Sequence, residues 1–214
     1  MAKRFDFPLL DQAEELARFG GWSEGVYRDL LAHQSGVLSE EEFRRKYSRT
    51  VAILQLDMTG MTKSAMRHGP LTSFMRILNV QKVCGPVLRE QGATHIRTFA
   101  DDFTAIFPQP GPALDAALAI HRRMEEFNAA LESQALEVRC CIGLGYGEVF
   151  RIGVDGAMGD EMNRASKLGE DTAKGGETLL TESFHAQVRH RPDCRFEPRT
   201  HEDVPFPFFS VLPR

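Results

Sequence analysis

Long apolar runs are absent from this 214-residue chain: none approaches the roughly 20 residues that a membrane-spanning helix needs. The first residues, Met1-Ala-Lys-Arg-Phe-Asp6, lack the apolar centre of a signal peptide, so a cytoplasmic location is expected. Cysteine is sparse. Cys84, Cys140, Cys141 and Cys194 show no Cys-x-x-Cys spacing, which argues against a zinc site and for reduced thiols. A strong excess of one charge is also missing. The net charge of -4 points away from bulk binding to nucleic acid or a membrane surface. There is no internal repeat, no low-complexity tract and no receptor or other sensory module. His95 and His121 have no partner at metal-ligand spacing. Gly143, Gly145 and Gly147 imitate a dinucleotide fingerprint, but the spacing is wrong and no helix opens there. They read instead as positions of close backbone approach in a sheet.

What is present fits one well-buried soluble domain with a small extension: 42% of residues are hydrophobic and 26% charged. Residues 1–48 read as an N-terminal helical extension and 49–214 as the main domain. In the extension, Phe5, Leu9, Leu10, Ala13, Leu16 and Ala17 form one helical face, which Gly20-Gly21 ends. A second helix spans about Ser23 to His33. Ser39 and Glu42 make a capping box for a third. Trp22, the one tryptophan, is expected to anchor a packing contact.

The main domain opens with a strand over 51–58. Residues 62–91 read as helical, with bends or breaks at Gly69-Pro70 and Gly85-Pro86. Strands follow over 94–100 and 102–107, then a Pro108–Pro112 loop and an amphipathic helix over 113–133. A strand over 136–150, a helix over 158–173, a short strand over 178–181 and edge strands within 192–214 complete the chain. The class is α+β. The βαββαβ order is ferredoxin-like, with helices packed on a mainly antiparallel sheet.

Two segments carry the chemistry: Val51-Ala-Ile-Leu-Gln-Leu-Asp57-Met-Thr-Gly60-Met-Thr62 and Ile96-Arg-Thr-Phe-Ala-Asp101-Asp102-Phe-Thr-Ala-Ile-Phe107. Each ends an apolar strand in Asp, and the first then enters a glycine turn and a helix. A carboxylate beside a phosphate-sized turn suits Mg²⁺, which takes few protein carboxylates plus the substrate's own oxygens. A lone Asp at a strand end is more often a cap or surface residue; two in this context point to a metal-using nucleotide enzyme. Asp102, next to Asp101 on a strand, should face the other side and is read as structural.

These segments resemble the two metal motifs of class III nucleotidyl cyclases. Cys141–Val149 resembles the family's next strand, Gly159-Asp-Glu-Met-Asn163-Arg-Ala-Ser-Lys167-Leu168 its Gly-Asp-x-Val-Asn-x-Ala-x-Arg helix, and Gly175–Thr181 the turn and strand after it. The resemblance covers roughly residues 50–185 and implies the family's palm-type core. It also implies attack of a ribose 3′-hydroxyl on the α-phosphate of a nucleoside triphosphate, releasing pyrophosphate. Two Mg²⁺ or Mn²⁺ ions would be held by Asp57, Met58 and Asp101. N–H groups of Met58, Thr59, Gly60, Met61 and Thr62 would cradle phosphates. Asn163 would position the ribose. Lys167 stands where the family has its transition-state Arg, and cannot make that residue's bidentate fork. Arg164 points a quarter-turn away. Since the family takes these two roles from a second subunit, a homodimer with composite sites is implied.

The base-reading positions depart from the adenylate pattern, with Arg97 for Lys and Gly156 for Asp; the neighbouring Asp155 could substitute. Arg97 offers only donors, which suits the carbonyls of uracil. UTP is the expected substrate and cUMP the product. A free-standing cyclase domain of this kind resembles the bacterial pyrimidine cyclases of anti-phage (Pycsar) signalling, whose product is read by a separate effector. The alternatives are an adenylate cyclase and a degenerate, regulatory cyclase-homology domain.

Overall fold

In a computed structural model, residues 7–152 and 157–214 are described. The chain divides into two compact units, Met1–Arg49 with Phe150–Met158, and Thr50–Val149 with Gly159–Arg214.

The first unit holds α1 (Ala13–Phe19), α2 (Glu24–Gln34) and α3 (Glu40–Tyr47). The Ser39 side chain accepts from Glu42 N–H while the Glu42 carboxylate accepts from Ser39 N–H, the expected capping box. Ser23 caps α2. The face expected from Phe5 to Ala17 is not buried: α1 starts only at Ala13, Leu9 and Leu10 are exposed, and Phe5 lies outside the described residues. Seven residues are too few for a helix to persist on propensity alone. The unit's core is instead Val26, Phe43 and Ile152, with Trp22, Tyr47 and Phe150 against them. The Phe43 ring meets Phe150 edge-on at 5.6 Å.

The second unit is built on β1 (Ser48–Met58), β2 (His95–Phe99), β3 (Asp102–Phe107), β4 (Cys140–Phe150), β5 (Thr178–Thr181), β6 (Cys194–Arg199) and β7 (Phe208–Pro213). They form one sheet in the order β2-β3-β1-β4-β5-β7-β6. The first four strands give the ferredoxin-like arrangement. β1–β3, β2–β3, β5–β7 and β6–β7 are antiparallel, and β4–β5 is parallel. The helices are α4 (Met61–His68), α5 (Pro70–Glu90), α6 (Pro110–Ala129), α7 (Asp160–Ser166) and α8 (Glu182–Val188).

Period-two alternation decides which face of the sheet does what. Leu54, Leu56 and Met58 of β1, with Phe103, Ala105 and Phe107 of β3, are buried in the main core with α5, α6 and α8. Gln55, Asp57, Asp102 and Thr104 therefore share the opposite face.

Three expectations change. Gly69-Pro70 does separate α4 from α5, but Gly85-Pro86 lies inside α5. Pro86 forfeits a backbone hydrogen bond, yet the buried Val87 and Leu88 hold the last turn on the core. The Pro108–Pro112 loop is cut short, because Pro110 is the first residue of α6, where its missing N–H is no loss. The helix expected over 158–173 is α7 followed by a π-helical segment, Lys167–Thr172.

Candidate active site

The β2–β3 hairpin pairs Phe99 with Asp102, so Ala100 and Asp101 form a two-residue loop. Ala100 sits at φ 51°, left-handed and strained for a residue with a Cβ. The loop sends the two neighbouring carboxylates to different places. Asp101 lines a cavity of about 470 Å³ together with Asp57, Met58, Thr59, Gly60, Met61, Thr62 and Lys63. Asp102 lines a second cavity, of about 190 Å³.

Asp57 is pushed up to about 6, first by burial and then by the charges of Asp101 and Asp102. A carboxylate so disfavoured asks for a cation. Among the described residues no group of three or more His, Cys, Asp or Glu could hold a metal. The described residues thus offer no closed protein cage. Two carboxylates opening on a cavity large enough for a polyphosphate fit a hard divalent ion that completes its shell with water and substrate oxygens.

The turn after Asp57 is tightly clamped. Thr59 N–H donates to Arg139 O at 2.9 Å, and Thr59 O accepts from Arg76 Nη2 at 3.2 Å. Its hydroxyl lies 3.4 Å from Cys141 Sγ. Arg76 is itself buried and also donates to Glu137 O, at 3.1 Å. Met58 N–H is directed at the Asp57 carboxylate, which it helps keep ionised. Two of the five N–H groups expected to cradle phosphate are therefore already engaged. The donors that α4 leaves open are those of its first turn, Met61, Thr62 and Lys63, behind an uncapped Gly60 at φ 74°. Lys63 is the addition; its signal in the sequence is its place at the third position of the helix that Gly60 opens.

The second cavity lies on the open face of the sheet. The register aligns Gln55 with Thr104 and Thr104 with Arg97, a row across β1, β3 and β2. Phe99, Asp102, Met162, Ser166 and Glu170 complete the lining. Gln55 and Thr104 are both buried. Thr104 Oγ1 donates to Gln55 Oε1 at 2.8 Å, and Gln55 Nε2 donates to Glu170 Oε1 at 2.8 Å. The Arg97 guanidinium lies over the Phe99 ring at 5.9 Å. Asp102 is raised, first by burial and then by the Asp101 charge, with Arg97 only partly opposing the lift. The pocket is therefore not donor-only, because Glu170 and Asp102 bring acceptors beside Arg97. In the sequence Gln55 is the one polar residue interrupting Val51–Leu56, and that interruption is the signal that could have found it.

The α7–π segment seats closely on the strands. A Cβ on Gly143 would lie 2.0 Å from Ala165 O, and one on Gly169 would lie 2.7 Å from Gln55 O. Gly143 thus is a position of close backbone approach, as expected, and the backbone that approaches it belongs to a helix packed on the sheet. In the π turn, Ala173 N–H reaches Leu168 O at 2.8 Å, an i→i−5 bond. Asn163 is exposed, and Lys167 Nζ pairs with Asp171 Oδ2 at 3.0 Å. Neither lines either cavity. Arg164 stands over Phe206 at 5.3 Å. Asp155 and Gly156 lie outside the described residues. The half-buried His121 bonds Thr178 Oγ1 at 2.9 Å, and loss of solvent around the ring pushes its imidazole down to about 4.

This sheet, with its helices and paired carboxylates, has the fold of adenylate and guanylate cyclase catalytic domains. The adenylate/guanylate cyclase/hydrolase from Silicibacter pomeroyi superimposes with a TM-score of 0.65 at 24% identity, over 78% of this chain and 98% of that one. The adenylyl cyclase CyaB from P. aeruginosa gives 0.64 at 15% identity, over 78% and 95%. The guanylate cyclase domain of RhGC from Catenaria anguillulae, in complex with GTP, gives 0.61 at 20% identity, over 78% and 97%. At these identities the likeness is one of fold. No protein-family model and no curated protein matches the sequence. Among the described residues no helix is long and apolar enough to cross a membrane.

Proposed function

We propose that this chain is a metal-dependent nucleotidyl cyclase that converts a nucleoside triphosphate, foremost UTP, to its 3′,5′-cyclic monophosphate and pyrophosphate. The observation that carries the reading is the shared cavity of Asp57 and Asp101 at the open N-terminus of α4. In this reading Asp57, Met58 and Asp101 hold Mg²⁺ or Mn²⁺. When bound, such ions supply charge neutralisation of the triphosphate and a more acidic 3′-hydroxyl. The N–H groups of Met61, Thr62 and Lys63 bind the terminal phosphates. The second cavity takes the base. At about 190 Å³ it is below the roughly 300–1,000 Å³ of whole-ligand pockets, so it suits one ring system rather than a nucleotide.

The division of the site into two cavities supports a homodimer with composite sites, the base pocket of one protomer facing the metal cavity of its partner. Asn163 and Lys167 then belong with the base pocket, since Met162 and Ser166 beside them line it. The cyclic nucleotide would act as a second messenger of anti-phage defence, read by a separate effector. The test is incubation with each of the four triphosphates and Mn²⁺. Dominant cUMP is expected; dominant cAMP would overturn the base assignment, and no cyclic product at all would overturn the activity. One observation favours a second reading, a regulatory nucleotide-binding domain: Lys167 is paired with Asp171 and does not reach the metal cavity. In that case binding persists and Asp57→Ala changes no product formation.

A further inference from the structure

Four features of the molecule invite a further role. The cavity beside His121 is lined by Glu125, Glu137, Glu177 and Arg139, with nothing that selects a ligand. An exposed apolar stripe on α5, Leu71, Phe74, Met75 and Leu78, has nothing to say what covers it. The buried Arg76 clamps the Thr59 turn. The hydrogen-bonded row Thr104–Gln55–Glu170 in the base pocket goes furthest.

Gln55 is an unusual choice for the middle of an apolar strand, and burying its amide costs free energy unless every polar atom is used. The Glu170 carboxylate can only accept and so faces the Nε2 end, while the Thr104 hydroxyl donates to Oε1 and holds the other end in place. The amide nitrogen is thereby turned to Glu170, so the Glu170 carboxylate is held as an acceptor. The π turn makes this contact possible, since Gly169 lets the segment close on Gln55 O and brings the next residue, Glu170, onto the pocket. π turns often mark functional sites. Across the row stands Arg97, which only donates.

We propose that Glu170, oriented by Gln55 and Thr104, is the specificity-determining acceptor of this pocket and reads the ring N3–H of uracil while Arg97 reads a flanking carbonyl. This deepens, and rests on, the cyclase reading above. A carboxylate facing N3 accepts from uracil's N–H. It repels cytosine, whose N3 presents a lone pair, so an acceptor would meet an acceptor. UTP is taken and CTP refused by one atom of difference, the kind of discrimination that a polar group held in place by a hydrogen bond provides.

The experiment compares kcat/KM for UTP and CTP in the full chain and in Glu170→Gln. An amide at 170 can donate to cytosine N3, so the UTP:CTP ratio is expected to fall by about 10- to 100-fold. Thr104→Val, which removes the hydrogen bond anchoring Gln55 Oε1 and so loosens the amide that holds Glu170, should lower the ratio less and in the same direction. A merely structural role would lower both substrates alike and leave the ratio untouched. An unchanged ratio in both variants overturns the proposal, as does a wild type that prefers CTP or ATP. If the wild type turns over no triphosphate, the cyclase reading fails by itself. Calorimetric binding of UTP and CTP with Ca²⁺ to the same proteins then decides the pocket: UTP bound more tightly, with the margin lost in Glu170→Gln, supports it, and equal affinities refute it.

Discussion

Replacing Asp57 with Asn should make the metal-free protein more stable while destroying its activity. Asp57 is raised from 3.8 to about 6, by burial first and by Asp101 and Asp102 next. The folded state thus holds a proton that the unfolded state has released across that window. Linkage then fixes the sign: stability falls as pH rises from about 4 to 6, and the penalty is fully present above 6. About two units at roughly 1.4 kcal/mol each give an upper bound of about 3 kcal/mol. Asp57 is only half-buried, so solvent screening brings this to about 1–2 kcal/mol. Asn keeps the shape and can still accept from Met58 N–H, but removes the charge.

For a chain of this length that difference corresponds to a rise in Tm of about 2–6 °C. The assay is thermal unfolding of wild type and Asp57→Asn with a chelator at pH 7.5, repeated at pH 5. At pH 5 most wild-type molecules already carry the proton, so the advantage of Asn should shrink. Adding Mn²⁺ at pH 7.5 should stabilise the wild type and leave the variant unmoved. An Asn variant no more stable than wild type at pH 7.5, or an advantage undiminished at pH 5, refutes the electrostatic account of the cavity. An equal Mn²⁺ response in both proteins would separately refute Asp57 as a ligand.

Ala100→Gly should stabilise the protein by about 1 kcal/mol, since glycine relieves the left-handed strain at the hairpin tip; urea unfolding measures it. Gly143→Ala should destabilise by about 3 kcal/mol or more, because the new methyl would meet Ala165 O and Gly169 N, both backbone atoms that cannot step aside. His121 is held down to about 4 by burial, so its contribution is intact above about 6.5 and is lost as pH falls towards 4. The urea midpoint of wild type should therefore lose ground to that of His121→Asn between pH 7 and pH 4.5, by up to about 3 kcal/mol. Chains carrying only Asp57→Ala and chains carrying only Lys167→Ala, each inactive, should regain turnover when mixed. Demonstrated heterodimers without activity would count against shared sites.

Much of the fold could be read because its signals are local. Apolar runs marked β1 and β3, Ser39 and Glu42 marked the start of α3, and Gly69-Pro70 marked a true break. The misreadings have different physical causes. Pro86 stays in α5 because Val87 and Leu88 are anchored beyond it. The face expected from Phe5 onward had the right periodicity, but its Leu9 and Leu10 have no core to enter. Six residues cannot distinguish a π turn from an α-helix by spacing, so Lys167–Thr172 read as ordinary helix.

The same limit governs the site. Sequence spacing set Asp101 and Asp102 on opposite sides of a strand, whereas Asp101 sits in the two-residue hairpin loop, outside the alternation, and Asp102 shares its face of the sheet with Asp57. What it could not supply is what else lies on each side. Arg97 taken alone offers donors only, and the reasoning from that residue type was sound as far as it went. The pocket around it is made by residues distant in sequence: Gln55 from β1, Thr104 from β3 and Glu170 from a π turn. None carries a motif. Their meaning comes from two hydrogen bonds, at 2.8 Å each, that orient one buried amide. The proposed uracil reading therefore no longer rests on a missing acceptor. It rests on an acceptor flanked by a donor, the pattern that a ring N–H beside a carbonyl requires.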